Sequence, residues 1–194
     1  MANKVKLPKS VEFNHIDDLW FEELLRLSRL PNSPLLARDF LADSGIVMII
    51  LKHLPRTYLD GAALRRKDGN PVVALTLRYD RLDYFWFTLI HELMHIKAHI
   101  QSEKESGWYL DDLEIEGNEQ EKEADRLAVN ALIPEKYTNE LNHLKSTDEV
   151  RQFAKEINRH PAIVAGRLRK ERANYRIFSS LVGNREVRKL FGEF

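Results

Sequence analysis

Apolar residues recur along this chain with two periods, and the shift from one to the other outlines its elements. Residues 17–30 carry leucines at helical spacing and predict a first helix. Ser33-Pro34 reads as an N-cap followed by a first-turn proline, and Gly45 as a stop, for a second helix through Ala42. Residues 46–51 form an unbroken apolar run of strand length. Residues 61–66 and 71–78 predict two more strands around Lys67-Asp68-Gly69-Asn70, a strong turn signal. Thereafter the period is helical. Residues 85–100 are apolar on nearly every side, with Asp83 placed to cap them, so this helix is expected to be buried. A helix ending near Pro134 has Ala124, Leu127, Ala128, Ala131 and Leu132 as its stripe. Ser146-Thr-Asp-Glu149 is a capping box for a helix through Ile157. Asn158-Arg-His160 reads as a turn, Pro161 opens a helix to about Arg172, and residues 184–190 predict a last helix. Strands gathered early and helices late imply an α+β fold: a small, mainly antiparallel sheet of about three strands carrying helices.

The buried helix contains chemistry that a core helix does not need. His91-Glu92-Leu93-Met94-His95 is an HExxH motif. Positions i and i+4 lie one above the other on a helix, so both imidazoles can meet one divalent ion, with Glu92 beside a water in the open position as general base. Buried imidazoles and a carboxylate require partners, and a metal satisfies all three. A third ligand is needed. His99 lies one turn on, but each i+4 step rotates about forty degrees, so it drifts off the shared axis and is expected to cap the site or make a buried hydrogen bond. The longer HExxHxxGxxH pattern fails at Ala98 and Gln101. In the segment 119–134, Glu121 and Asp125 stand at i and i+4. A ligand Glu121 with Asp125 bonded to a ligand histidine suits that spacing. Glu123 lies about two hundred degrees round the helix from Glu121, so both cannot face the metal. Without the HExxH, Glu121 would read as a solvated carboxylate.

The run Phe87-Thr-Leu-Ile-His-Glu-Leu-Met-His-Ile-Lys-Ala-His99, followed by Glu121-Lys-Glu-Ala-Asp-Arg-Leu-Ala-Val-Asn-Ala-Leu-Ile-Pro134, resembles the ImmA/IrrE family of metallopeptidases. Residues 54–63 and 160–167 look like a subgroup in which this domain follows a Cro/repressor-type DNA-binding domain, as in HigA-like antitoxins. The resemblance implies a zincin-like fold and zinc on His91, His95 and Glu121, with manganese as the alternative metal. It also implies a protein substrate, a transcriptional repressor or antitoxin-type regulator. A helix-turn-helix partner is expected, joined at the N-terminus or encoded by a neighbouring gene. Two other functions stay open: a non-proteolytic, metal-binding sensor module of such a regulator, and a metal-dependent hydrolase acting on a small amide. The chain departs from the family pattern at Met94, usually glycine, at Leu127, usually phenylalanine, and at Ile133, usually methionine. Met94, the bulkier residue, is expected to narrow the cleft.

Composition narrows the partners. Thirty acidic and thirty basic residues cancel, so no global charge draws the chain to nucleic acid or membrane. There is no cysteine, which excludes a disulfide framework and suits the cytoplasm. No signal peptide or membrane-length apolar run is present. Residues 1–15 are expected to be a polar lead-in or linker, and residues 16–194 a single domain that includes a C-terminal helical hairpin. Locally the charge is uneven: nine acids against two lysines over residues 103–123, and eleven bases against four acids over residues 151–194. The first stretch lacks EF-hand spacing and reads as a solvated loop. The second contains a helix, a turn and a helix bearing Arg167, Arg169, Lys170 and Arg172, which mimics a DNA-binding motif. Ile163, Val164 and Leu168 keep one of its faces apolar, so packing against the metal domain is expected, with no DNA binding by this chain alone. Tyr109, Tyr175, His160 and the C-terminal arginines are candidates for stabilising an oxyanion. His15, His53 and His143 lack metal spacing and read as surface residues.

Overall fold

The computed structural model describes residues 13, 16–53, 56–66, 69–100 and 119–192. The fold is α+β, with seven α-helices and a three-stranded sheet among the described residues. Helices α1 (Asp18–Leu27) and α2 (Ser33–Asp43) come first. The Asp17 carboxylate accepts the Trp20 N–H at 2.8 Å and caps α1, whose Phe21, Leu24 and Leu25 are buried. The indole of Trp20 donates to Ser44 Oγ at 2.8 Å and ties α1 to the end of α2. The cap of α2 falls one residue earlier than expected. Asn32 occupies it, in the left-handed region at φ 56°, and Ser33 is drawn into the core. Asparagine tolerates that conformation better than serine does.

The sheet order is β1 (Val47–Ile50), β3 (Pro71–Leu75), β2 (Gly61–Arg65). The β2–β3 pairing is antiparallel, joined across Gly69 at φ 91°, whereas β1 runs parallel to β3. The sheet is therefore mixed. The turn residues Lys67 and Asp68 lie outside the described residues. Every residue of the central β3 is buried. It stops at Leu75, short of the predicted end at residue 78, because Leu77 turns left-handed at φ 47°.

Helix α3 (Leu82–His95) runs through the core, and Phe85, Trp86, Leu89, Ile90 and Leu93 are each at most 2% exposed. Burying such side chains stabilises by about 1.5–3 kcal/mol apiece. Asp83 does not cap this helix. Arg81 holds the cap position, and Asp83 lies within the first turn, paired with the Arg81 guanidinium. The first amide is satisfied from the far end of the chain instead: Leu82 N–H donates to Val182 O at 3.0 Å. That docking explains why no helix forms at residues 184–190. Asn184 bridges to Arg81, Arg185 is left-handed at φ 60°, and only a single 3-10 turn follows at Arg188–Leu190.

Four further helices follow among the described residues: α4 (Glu119–Leu132), α5 (Thr138–His143), α6 (Thr147–Glu156) and α7 (Pro161–Glu171). Ser146 and Glu149 form the capping box of α6, with Ser146 Oγ accepting the Glu149 N–H at 3.2 Å. His160 Nδ1 accepts the Ala162 N–H at 3.0 Å and caps α7. The α6–α7 hairpin packs inside the fold. A Cβ on Gly166 would lie 2.8 Å from Asp83 Cβ, so α7 reaches its separation from α3 only because residue 166 has no side chain. Buried Arg159, before α7, donates to Leu132 O at 3.0 Å and to Glu22 Oε1 at 2.8 Å, capping α4 and fastening it to α1. Among the described residues, no helix is long and apolar enough to cross a membrane.

Candidate metal centre

Helices α3 and α4 build the site between them. The alanines of α4 allow a close approach: Ala124 and Ala128 are fully buried against the core. On α3 the i,i+4 spacing sets His91 and His95 side by side, with ring centroids 4.8 Å apart. Glu121 meets both from α4, its Oε2 at 3.2 Å from His91 Nε2 and its Oε1 at 3.0 Å from His95 Nε2. His91 Nε2 and His95 Nε2 are 3.1 Å apart. One ligand atom from each of these three residues lies within 4.8 Å of the other two.

Zinc with ligand bonds near 2.0–2.1 Å sets tetrahedral ligand atoms about 3.3 Å from one another. The spacings found match such an edge. The chemistry of the donor set points the same way. His91 Nδ1 lies 2.9 Å from Asp125 Oδ1 and donates its proton there, which leaves a lone pair on Nε2 facing the same point as the Glu121 carboxylate. In that tautomer a cation at the shared point would satisfy both groups. The residues present therefore fit a metal ion, with His91, His95 and Glu121 to hold it.

Electrostatics reinforce the arrangement. Burial opposes a charged His91, but the Asp125 hydrogen bond and the Glu92, Glu121 and Asp125 carboxylates outweigh it, so its pKa is raised above the ordinary histidine value. The His91 hydrogen bond in turn holds the Asp125 carboxyl below its usual range.

Glu92 lies on α3 between the two histidines and is 3% exposed. The adjoining edge strand leaves room for it by means of a glycine. A Cβ on Gly61 would stand 2.4 Å from Glu92 Oε1, so any side chain there would displace the carboxylate. Sequence reasoning did not single out Gly61. A glycine opening a strand is a weak signal of close backbone approach.

The other expected residues divide. Glu123 is exposed, turned away from the metal point as the helical rotation required. The backbone carries α3 on as a π-helical turn at Ile96–Ile100, but the His99 side chain expected to cap the site lies outside the described residues, as do Tyr109, His15 and residues 103–118 of the acidic stretch 103–123. Met94 does not narrow a cleft; it is 3% exposed, enclosed in the hydrophobic core. His160 is occupied at the head of α7, and Tyr175, Arg167 and Arg169 border a separate cavity. His143 is exposed as expected, whereas His53 is half-buried, with its Nδ1 enclosed.

A protein-family model described as the IrrE N-terminal-like domain, a peptidase family, matches residues 43–169, well over half of the chain. No curated protein and no solved structure matches.

Proposed function

The chain belongs to the IrrE N-terminal-like peptidase family, and on that footing we propose that it is a zinc-dependent endopeptidase acting on a transcriptional repressor or antitoxin-type regulator. The observation that carries this reading is the convergence of His91, His95 and Glu121 on one point, beside buried Glu92 and β2, an outer strand of the sheet among the described residues. Two nitrogens and one carboxylate oxygen suit zinc, with manganese the alternative. Zinc, when bound, polarises a peptide carbonyl and acidifies water. Glu92 takes the proton from the attacking water and passes it to the leaving nitrogen. Asp125 fixes the His91 ring and tautomer through Nδ1. Strand β2 is an outer strand of the sheet, so its main-chain groups can bind an extended substrate segment as an added strand. Gly61 brings that segment past Glu92. The repressor class rests on the resemblance of residues 54–63 and 160–167 to domains that follow a Cro/repressor-type DNA-binding domain. A cytoplasmic reaction is part of the same proposal, and a sequence without cysteine suits it.

The test combines metal analysis with cleavage. The purified chain is expected to hold one zinc and to cut a repressor encoded beside it. Glu92→Gln keeps the shape of the side chain and removes its basicity. It should slow cleavage about a hundred- to ten-thousandfold while the zinc stays bound. Equal cleavage by wild type and variant would overturn the mechanism. A loaded chain that cuts no such repressor, but whose ligand variants alter DNA binding by an attached regulator, would replace the peptidase with the sensor module.

A further inference from the structure

A cavity of about 190 Å³ opens between α3, α4 and α7, on the side of α3 that leads toward its N-terminus. None of His91, Glu92, His95 or Glu121 lines it. Its apolar walls include Phe87, Val129, Leu132 and Ile163, and Arg81, Arg167, Arg169 and Lys170 also face it. We propose that this cavity is a binding site for a small organic monoanion: a carboxylate carried on an apolar body the size of one aromatic ring.

The charge count selects the ligand. Arg81 is paired with Asp83. Arg167 Nε lies 2.6 Å from Glu171 Oε1. Lys170 is exposed, so water solvates its ammonium, and its Nζ is 3.9 Å from Asp125 Oδ2. Arg169 is the exception: among the described residues, it has no carboxylate within ion-pair distance, although it is only 6% exposed. Its Nη2 donates to Tyr175 O, but its Nε and Nη1 are enclosed with no acceptor, and so is Arg167 Nη1. Buried guanidinium N–H groups without acceptors are rare in native proteins. Burial and the neighbouring Arg81 depress the Arg169 pKa, yet a guanidinium remains protonated. One uncompensated cation calls for one negative charge. A dianion would leave a surplus charge desolvated.

Size and lining select the rest. An apolar cavity of about 150 Å³ accepts benzene, so this one admits a ring with a carboxylate. The ligand would sit one turn from the metal centre, because the Phe87 and His91 rings are 6.1 Å apart.

Benzoate is the probe, titrated into the purified chain at constant ionic strength while the Arg169 side-chain N–H and the Tyr84 and Gly166 amides are followed by NMR. Saturable shifts confined to these groups are expected. Benzamide, the neutral isostere, should bind about ten- to a hundredfold more weakly, since it gives up charge-assisted hydrogen bonds. Arg169→Gln should abolish the shifts at its neighbours. Should that variant fail to fold, Val129→Phe fills the cavity and keeps every cation, and it should weaken benzoate by a similar factor. Shifts that do not saturate, shifts spread over other surfaces, equal binding of benzamide, tighter binding of phenyl phosphate, or undiminished binding to Val129→Phe would each overturn the assignment. The readout involves no peptide cleavage, so its failure and that of the peptidase reading are separate results.

Discussion

The metal centre and the cationic cavity sit a turn apart on α3 and are built on opposite plans. At the metal point, groups rich in lone pairs crowd together: two imidazoles and a carboxylate within 4.8 Å. In the cavity, N–H donors gather and acceptors are short, with three guanidinium nitrogens left unmatched. The first arrangement suits a cation and the second an anion. They differ as well in how they are assembled. Two helices, each with an i,i+4 pair, are enough for the metal point. The cavity needs Arg81 at the head of α3, Arg169 on α7 and Tyr175 beyond it. Asp125 is where the two meet, with Oδ1 on His91 and Oδ2 turned toward Lys170.

The sharpest way to separate the two sites acts on the metal side alone. Gly61→Ala places a methyl where only 2.4 Å is available beside Glu92 Oε1. Gly61 is not in the left-handed region, so the conflict is with two side chains of α3, the Glu92 carboxylate and Thr88 Cγ2 at 2.8 Å, and not with the backbone. Displacing a reacting group by about 1 Å costs roughly a hundredfold in rate. Cleavage should fall by about that factor, while zinc content and benzoate binding stay unchanged. Wild-type cleavage by Gly61→Ala would mean that Glu92 has no fixed position to lose.

A smaller effect is expected at the junction. Asp125→Ala removes the acceptor of the His91 Nδ1 proton and should weaken zinc binding about ten- to a hundredfold without unfolding the chain. Lys170→Gln is the matched control. Its contact with Asp125 is long and both side chains are about half exposed, so the pair is worth under about 1 kcal/mol. Zinc affinity should barely move in Lys170→Gln. If Asp125→Ala binds zinc as tightly as wild type, Asp125 is a surface carboxylate and the two sites share no wall.

What could be read in the sequence follows the same division. Helical periodicity placed α3, α4, α6 and α7 within a few residues, and the HExxH spacing with Glu121 and Asp125 named the groups that come together, because both features are local. Features set by docking were out of reach. The parallel pairing of β1 with β3 depends on where the β2–β3 hairpin lands. Residues 184–190 look helical in isolation, yet Asn184 is taken by Arg81, and Val187 and Arg188 donate their N–H groups to Asp80 Oδ1 at 3.0 and 2.9 Å. Arg159 reads as one more surface base until the end of α4 arrives to use it. Arg167 and Arg169 were counted in a basic tail, and their burial appears only once α7 lies on α3.

The smallest effect concerns the helix that carries those arginines. His160 caps α7 through Nδ1, which must be unprotonated to accept the Ala162 N–H. Burial lowers the His160 pKa, with Glu186 opposing weakly, so the folded state binds its proton less readily than the unfolded chain does. The sign follows from that difference. Above the ordinary histidine value near 6.5 both states are neutral and the cap contributes fully. As pH falls through that value the unfolded chain takes up the proton first, and stability is lost until the folded pKa is passed. A cap of this kind is worth about 1 kcal/mol, which corresponds to roughly 2–4 °C in the melting temperature of a chain this long. His160→Asn keeps a side-chain acceptor and removes the titration. Melting curves from pH 7.5 to 5.5 should therefore fall less steeply for His160→Asn than for wild type, with the gap opening below pH 6.5. The metal-site residues are the same in both proteins and cancel in the comparison. Parallel curves would show that α7 does not depend on a neutral His160, and that the cavity arginines are held in place by the packing of Gly166 on Asp83 without help from the helix cap.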